Sequence, residues 1–100
     1  MHYIIDIDNT ICLTEPKGDY PNSKPHVKRI EKVNHLYDIG NKITYWTARG
    51  ANSGKDWTEL TIKQLKEWGC KYHEVKLGKP AYDVWVDDKA INDKGFFGND

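Results

Sequence analysis

One hundred residues are enough for a single α/β domain around one core, spanning 1–100, and leave no length for a second. Fifteen basic residues balance fifteen acidic ones, which argues against a chain built to coat a nucleic acid or to lie on an anionic membrane, so any phosphate binding must be local. Cys12 and Cys70 stand far apart with no CxxC spacing, and no apolar stretch approaches membrane-spanning length, so a soluble protein of a reducing cytoplasm is expected.

Residues 2–7 (HYIIDI) are a short apolar, β-branched run closed by acidic and turn-forming residues, which predicts a buried first strand. Residues 11–25 hold three of the four prolines together with Gly18, Asp19, Asn22 and Ser23, and predict an irregular or hairpin-like flap. From Pro25 onward Val27, Ile30, Val33, Leu36 or Tyr37, and Ile39 recur at helical spacing until Gly40-Asn41 provides a stop. Residues 42–47 (KITYWT) predict a second strand, and 48–54 a small-residue loop. Asp56, with Glu59 three positions on, has the pattern of a capping box for a helix whose inner face is Leu60, Ile62 or Gln64, Leu65 and Trp68. Lys71 to Leu77 predict a weak third strand, Tyr82 to Val86 a firmer fourth that runs into Asp87-Asp88, and the last dozen residues a terminal turn with Phe96 and Phe97 docked on the domain.

Helical crossovers between strands predict a mostly parallel sheet whose ligands lie beyond the carboxyl ends of its strands. Asp6 and Asp8, Thr47, and Asp87 and Asp88 all fall at such ends. Four carboxylates in one crevice repel unless a hard cation is present, and Mg²⁺ suits them because it needs few protein carboxylates and keeps sites for water and phosphate. Asp6 and Asp8 then suit a nucleophile attacking phosphorus and a group that protonates the leaving oxygen and later deprotonates water. Charge spreads over the transferred phosphoryl oxygens, and Thr47 and Lys79 are the candidate donors to them. Arg49, Ser53, Lys55 and Asp56 follow Thr47 at the same crevice and are expected to bind the substrate's leaving group, Arg49 foremost because its planar fork matches phosphate or carboxylate.

These residues resemble the haloacid dehalogenase-like superfamily, whose four motifs appear in order as Tyr3-Ile-Ile-Asp6-Ile-Asp8-Asn9-Thr10, Thr44-Tyr-Trp-Thr47, Gly78-Lys79-Pro80 and Val84-Trp-Val-Asp87-Asp88. The resemblance implies a capless three-layer Rossmann-like fold with its four strands in the order 4-1-2-3. It implies Asp6 as nucleophile, Asp8 as acid/base, and Mg²⁺ held by Asp6, the backbone carbonyl of Asp8, and Asp87, with Asp88 direct or through water. The phrases YWTARG, SGKDW and GKPAYDVWVDDKA further resemble short phosphatases associated with capsule or surface-polysaccharide genes, implying a phosphorylated sugar or nucleotide-linked precursor as substrate. The gaps between motifs leave no room for a cap, so either a homo-oligomer completes the pocket or the substrate covers the site itself. A receiver-like signalling domain or phosphotransferase is the alternative reading, since receivers also combine a phospho-accepting Asp with Thr, Lys and Mg²⁺.

The other aspartates, Asp19, Asp38, Asp83 and Asp93, read as turn formers, the four histidines have no ligand spacing, and Thr10 is expected to buttress Asp8. Trp46, Trp68 and Trp85 are expected in the core, with Trp57 at the pocket.

Overall fold

The first strand, β1 (His2–Ile5), alternates so that Tyr3 and Ile5 face inward while His2 and Ile4 are exposed. In the computed structural model, which describes all 100 residues, the flap that follows is a small antiparallel hairpin of β2 (Cys12–Leu13) and β3 (Lys24–Pro25), with one 3₁₀ turn at Tyr20–Asn22. Helix α1 (Val27–Asp38) starts at the first residue of the apolar spacing; Pro25 before it pairs with Cys12, and the His26 ring caps the helix by accepting from Arg29 N–H at 3.4 Å. Then come β4 (Lys42–Trp46), α2 (Thr58–Glu67), β5 (Glu74–Lys76) and a short α3 (Asp93–Phe97).

The main sheet has three parallel strands in the order β1-β4-β5, with Ile4 opposite Thr44 and Tyr45 opposite Val75. Both crossovers step in the same direction, and right-handed connections then put α1 and α2 on one face of the sheet. The core is consistent with this: Ile5, Ile7, Ile43 and Tyr45 join Ile30 and Val33 of α1, Leu65 of α2 and Phe97 of α3 in one cluster. Arg29 fastens α3 to α1, pairing with Asp93 at 2.7 Å, donating to the Asp100 carbonyl and lying over the Phe97 ring. No helix is long and apolar enough to cross a membrane.

The fourth strand expected at Tyr82–Val86, and with it the order 4-1-2-3 and a third layer, is not formed within the chain. β5 ends at Lys76, and the five residues 77–81 are all that separate it from Tyr82. A parallel strand can be re-entered only after a crossover of about a dozen residues or more. Tyr82–Val86 is instead irregular chain exposed to solvent, with a bend at Asp83, and the outer edge of β1 carries no partner strand. Trp85 is accordingly not a core residue; it packs edge-on against Trp46 at 6.1 Å.

Candidate active site

Beyond Ile5 the chain turns sharply: Thr10 and Ile11 N–H both return to the Ile7 carbonyl, and Asn9 takes φ 60°. Asn is among the few residues that enter this left-handed region readily, and its side-chain oxygen also accepts from Thr14 N–H. The turn sets Asp6 and Asp8 side by side at the carboxyl end of the sheet, at a small crevice of about 160 Å³. Thr10 Oγ1 donates to Asp6 at 3.0 Å, so Thr10 buttresses the expected nucleophile rather than Asp8. Lys79 Nζ stands 3.6 Å from Asp6 Oδ1, and its N–H donates to the Thr47 carbonyl at 3.1 Å, which ties the Gly78-Lys79-Pro80 turn to the end of β4. Burial pushes the Asp6 carboxyl above its ordinary range; Lys79 and the Thr10 hydroxyl pull against that, and the neighbouring Asp8 adds to it.

Asp8 is held from several sides. Arg49 grips it with two N–H groups, Nη2 to Oδ1 at 2.9 Å and Nε to Oδ2 at 3.0 Å, while Thr14 Oγ1 donates to Oδ1 at 2.7 Å and Thr47 Oγ1 to Oδ2 at 3.4 Å. Arg49 is buried, and its remaining nitrogen donates to Gln64 Oε1 at 2.6 Å and Thr61 Oγ1 at 3.2 Å, with the Tyr20 ring 4.8 Å over the guanidinium. The expectation that Arg49 binds a leaving group is therefore corrected: its donors are spent inside the protein, and it is a strut that orients Asp8. The loop bearing it depends on Gly50, at φ 82°, where a Cβ would collide with the Lys55 carbonyl.

Ser53, Lys55 and Asp56 do not reach the crevice. Ser53 accepts from Lys55 N–H, Asp56 accepts from Thr58 N–H at 2.9 Å, and the Lys55 ammonium lies over the Trp57 ring at 4.3 Å. α2 begins beyond Trp57, so Asp56 sits one residue too early to form the expected capping box with Glu59. The residues that line the crevice instead come from the flap: Thr14, Lys17, Gly18 and Tyr20. Tyr20 is pinned there by Gln64 Nε2, which donates to its carbonyl at 2.6 Å, and by an edge contact with Trp57. Thr14, Lys17, Tyr20 and Gln64 are the members that sequence reasoning missed; for Gln64 the available signal was a pair of polar residues, Thr61 and Gln64, on the inner face of α2.

The structure brings only part of the expected metal-ligand set together. Asp87 and Asp88 are exposed in solvent, with Asp87 Oδ1 accepting from Lys89 N–H at 2.7 Å in a local turn that holds its carboxyl below the usual range. No three acidic, histidine or cysteine side chains share one place. Asp6 and Asp8 are together at the crevice; Arg49 takes both carboxylate oxygens of Asp8, which leaves the Asp6 carboxylate and the Asp8 backbone carbonyl as the expected ligands that one chain brings there, without Asp87 and Asp88.

No protein-family model matches the sequence, and no curated protein matches it. A crystal structure from Vibrio cholerae, described only as a structural target, superposes over 99% of this chain and 89% of its own with a TM-score of 0.87 at 23% identity. That similarity shows the fold, a small α/β domain on a mostly parallel sheet.

Proposed function

We propose that the crevice is the active site of a phosphohydrolase in which Asp6 is the nucleophile. The observation that carries this reading is the placement of the Asp6 carboxylate in an open crevice with the Lys79 ammonium 3.6 Å away and Asp8 fixed beside it. An Asp6 oxygen forms a bond to phosphorus as the ester P–O bond breaks, and the leaving oxygen takes a proton. Water then attacks phosphorus and releases phosphate and free Asp6. Lys79 supplies positive charge toward the phosphoryl oxygens, and the Thr47 hydroxyl, whose proton is held only by a long 3.4 Å contact to Asp8, turns to them as a hydrogen-bond donor when substrate binds. Asp8, oriented by Arg49 and Thr14, is the group placed to exchange the protons of both steps.

The substrate class in this proposal is a phosphorylated sugar or nucleotide-linked precursor of surface polysaccharide, as the haloacid dehalogenase-like motifs suggest, and the two free thiols favour a cytoplasmic setting. The finer fold reading, a capless three-layer order with a strand on the far side of β1, belongs to the same proposal, as does Mg²⁺.

The test is release of inorganic phosphate from a panel of sugar phosphates and nucleotides with and without Mg²⁺, for the native chain and for Asp6→Asn. Turnover by the native chain that Asp6→Asn abolishes is the expected result. Full activity in Asp6→Asn would refute the covalent step, and a stable acyl phosphate without turnover would point to a receiver-like domain.

A further inference from the structure

Twelve consecutive residues, Ala81 to Asn92, are exposed, and they include the most apolar stretch outside the core. Val84 is 77% exposed, Val86 91%, and Ile91 67%. β-Branched and aromatic residues at this density belong in a strand, and left in water they form an association-prone segment. The molecule also has a matching vacancy. β1 is paired on one side only, to β4, and Ile4 on that strand is 59% exposed. Since the Met1 carbonyl accepts from Lys42 N–H, the alternation of a parallel ladder turns the backbone groups of His2 and Ile4 toward the open edge. The lengths agree as well: the five residues Tyr82–Val86 span roughly 17 Å as a strand, the reach of β1 continued to Asp6.

The chain cannot fill its own vacancy in the parallel sense. Lys79 is anchored at the carboxyl end of the sheet, through its N–H to the Thr47 carbonyl and its ammonium to Asp6. Only Pro80 and Ala81 lie between Lys79 and Tyr82, a reach of about 10 Å, against the roughly 17 Å needed to return to the amino end of β1. The chain is fixed again at Asp93, which pairs with Arg29. Residues 80–92 thus form an arm tethered at both ends, able to extend roughly 20 Å from the body when doubled back. A second copy of the chain carries the same arm and the same open edge, so a twofold arrangement satisfies both at once.

We propose that two copies exchange these arms: Tyr82–Val86 of each adds as a parallel strand to the β1 edge of the other. The added strand covers Ile4 and gives the sheet its fourth member. A parallel strand in that place ends beside Asp6, so Asp87 and Asp88 of one copy reach the Asp6–Asp8 crevice of the other. That supplies the carboxylates that a single chain lacks for a divalent cation, and this last step rests on the phosphohydrolase reading of the site. The exchange itself does not.

The experiment is sedimentation velocity and light scattering on the full chain, with the Val84→Lys/Val86→Lys variant alongside. The native chain is expected to be a dimer or an even-numbered assembly, and the variant a monomer with unchanged helical circular dichroism. Hydrogen exchange of the native chain supplies a second readout should the variant not fold: alternate amides within 83–86 and those of His2 and Ile4 are expected to gain protection as protein concentration rises. A native monomer, or a native assembly in which residues 83–86 exchange freely at high concentration, would overturn the proposal. If the native chain turns over phosphoesters, mixing inactive Asp6→Asn with inactive Asp87→Asn should restore about one quarter of native activity. Half of the randomly paired dimers are then mixed, each with one intact site. No restoration by subunits shown to exchange overturns delivery in trans, whereas a dimer without any phosphatase activity sinks only the functional reading.

Discussion

Replacing Arg49 by methionine isolates the interaction on which the crevice depends. Methionine keeps much of the volume of the side chain and removes its charge and all of its donors. The guanidinium has no exposed side-chain surface, while Asp8 retains 20%. Breaking a buried pair by removing one partner costs about 3–5 kcal/mol, because the other charge is left uncompensated. The partial exposure of Asp8 and its remaining hydrogen bonds from Thr14 and Thr47 favour the lower end, about 3 kcal/mol. In a domain of this size 1 kcal/mol moves Tm by roughly 4–8 °C, so a fall of roughly 12–24 °C is expected. Urea unfolding followed by circular dichroism gives the free energy, and the double variant Asp8→Asn/Arg49→Met closes the cycle. Adding Asp8→Asn to the Arg49→Met background should recover part of the loss, since the orphaned charge goes with it. A loss under about 1 kcal/mol for Arg49→Met alone would refute the strut and return Arg49 to the substrate-reading role that its position in the sequence suggests.

Three further outcomes follow from the same geometry. Burial raises the Asp6 carboxyl in the folded state above the 3.8 of an ordinary aspartate, so its contribution to stability is complete below that value and is lost as pH climbs through the raised one. Asp6→Asn should therefore gain in Tm relative to the native chain between about pH 3.5 and pH 7 in metal-free buffer, and a constant difference across that range would contradict it. Gly50→Ala should destabilise by about 2 kcal/mol or more, from the left-handed backbone at φ 82° and the collision with Lys55, as measured by thermal melting. Tyr45 buries a hydroxyl that faces only the Cys70 thiol, a weak partner beyond full hydrogen-bond geometry, so Tyr45→Phe should stabilise by up to about 1 kcal/mol, and a loss in urea unfolding would show that the thiol satisfies the hydroxyl.

Local pattern made the acidic turn, the two crossover helices and the strand ends legible. Asp6, Asp8, Thr47 and Lys79 converge because each follows an apolar run that must be buried, and parallel strands end on the same side. What could not be read was the direction of long side chains. Arg49, two residues beyond Thr47, is as well placed in sequence to point outward as inward. Its direction is decided by Thr61 and Gln64 on α2, residues that a hydrophobic pattern passes over. The flap was visible as an excursion, but its contribution of Thr14 and Tyr20 to the Asp8 environment depends on a hairpin register that prolines and glycines do not specify.

The fourth strand is the more instructive case, because there the local signal and the topology conflict. Tyr82 to Val86 has the composition of a strand, yet an order of four parallel strands needs a crossover before it, and residues 77–81 are too few to provide one. The conflict is present in the sequence itself, where two strands follow one another with no helix between them. Within one chain topology prevails, and twelve residues remain in water with Asp87 and Asp88 among them. In the proposed exchange the partner strand belongs to another molecule, which satisfies the pairing that the short connection denies within one chain. The acidic pair outside the crevice is thus tied to it by the same short turn, at Lys79, that keeps the pair from reaching it alone.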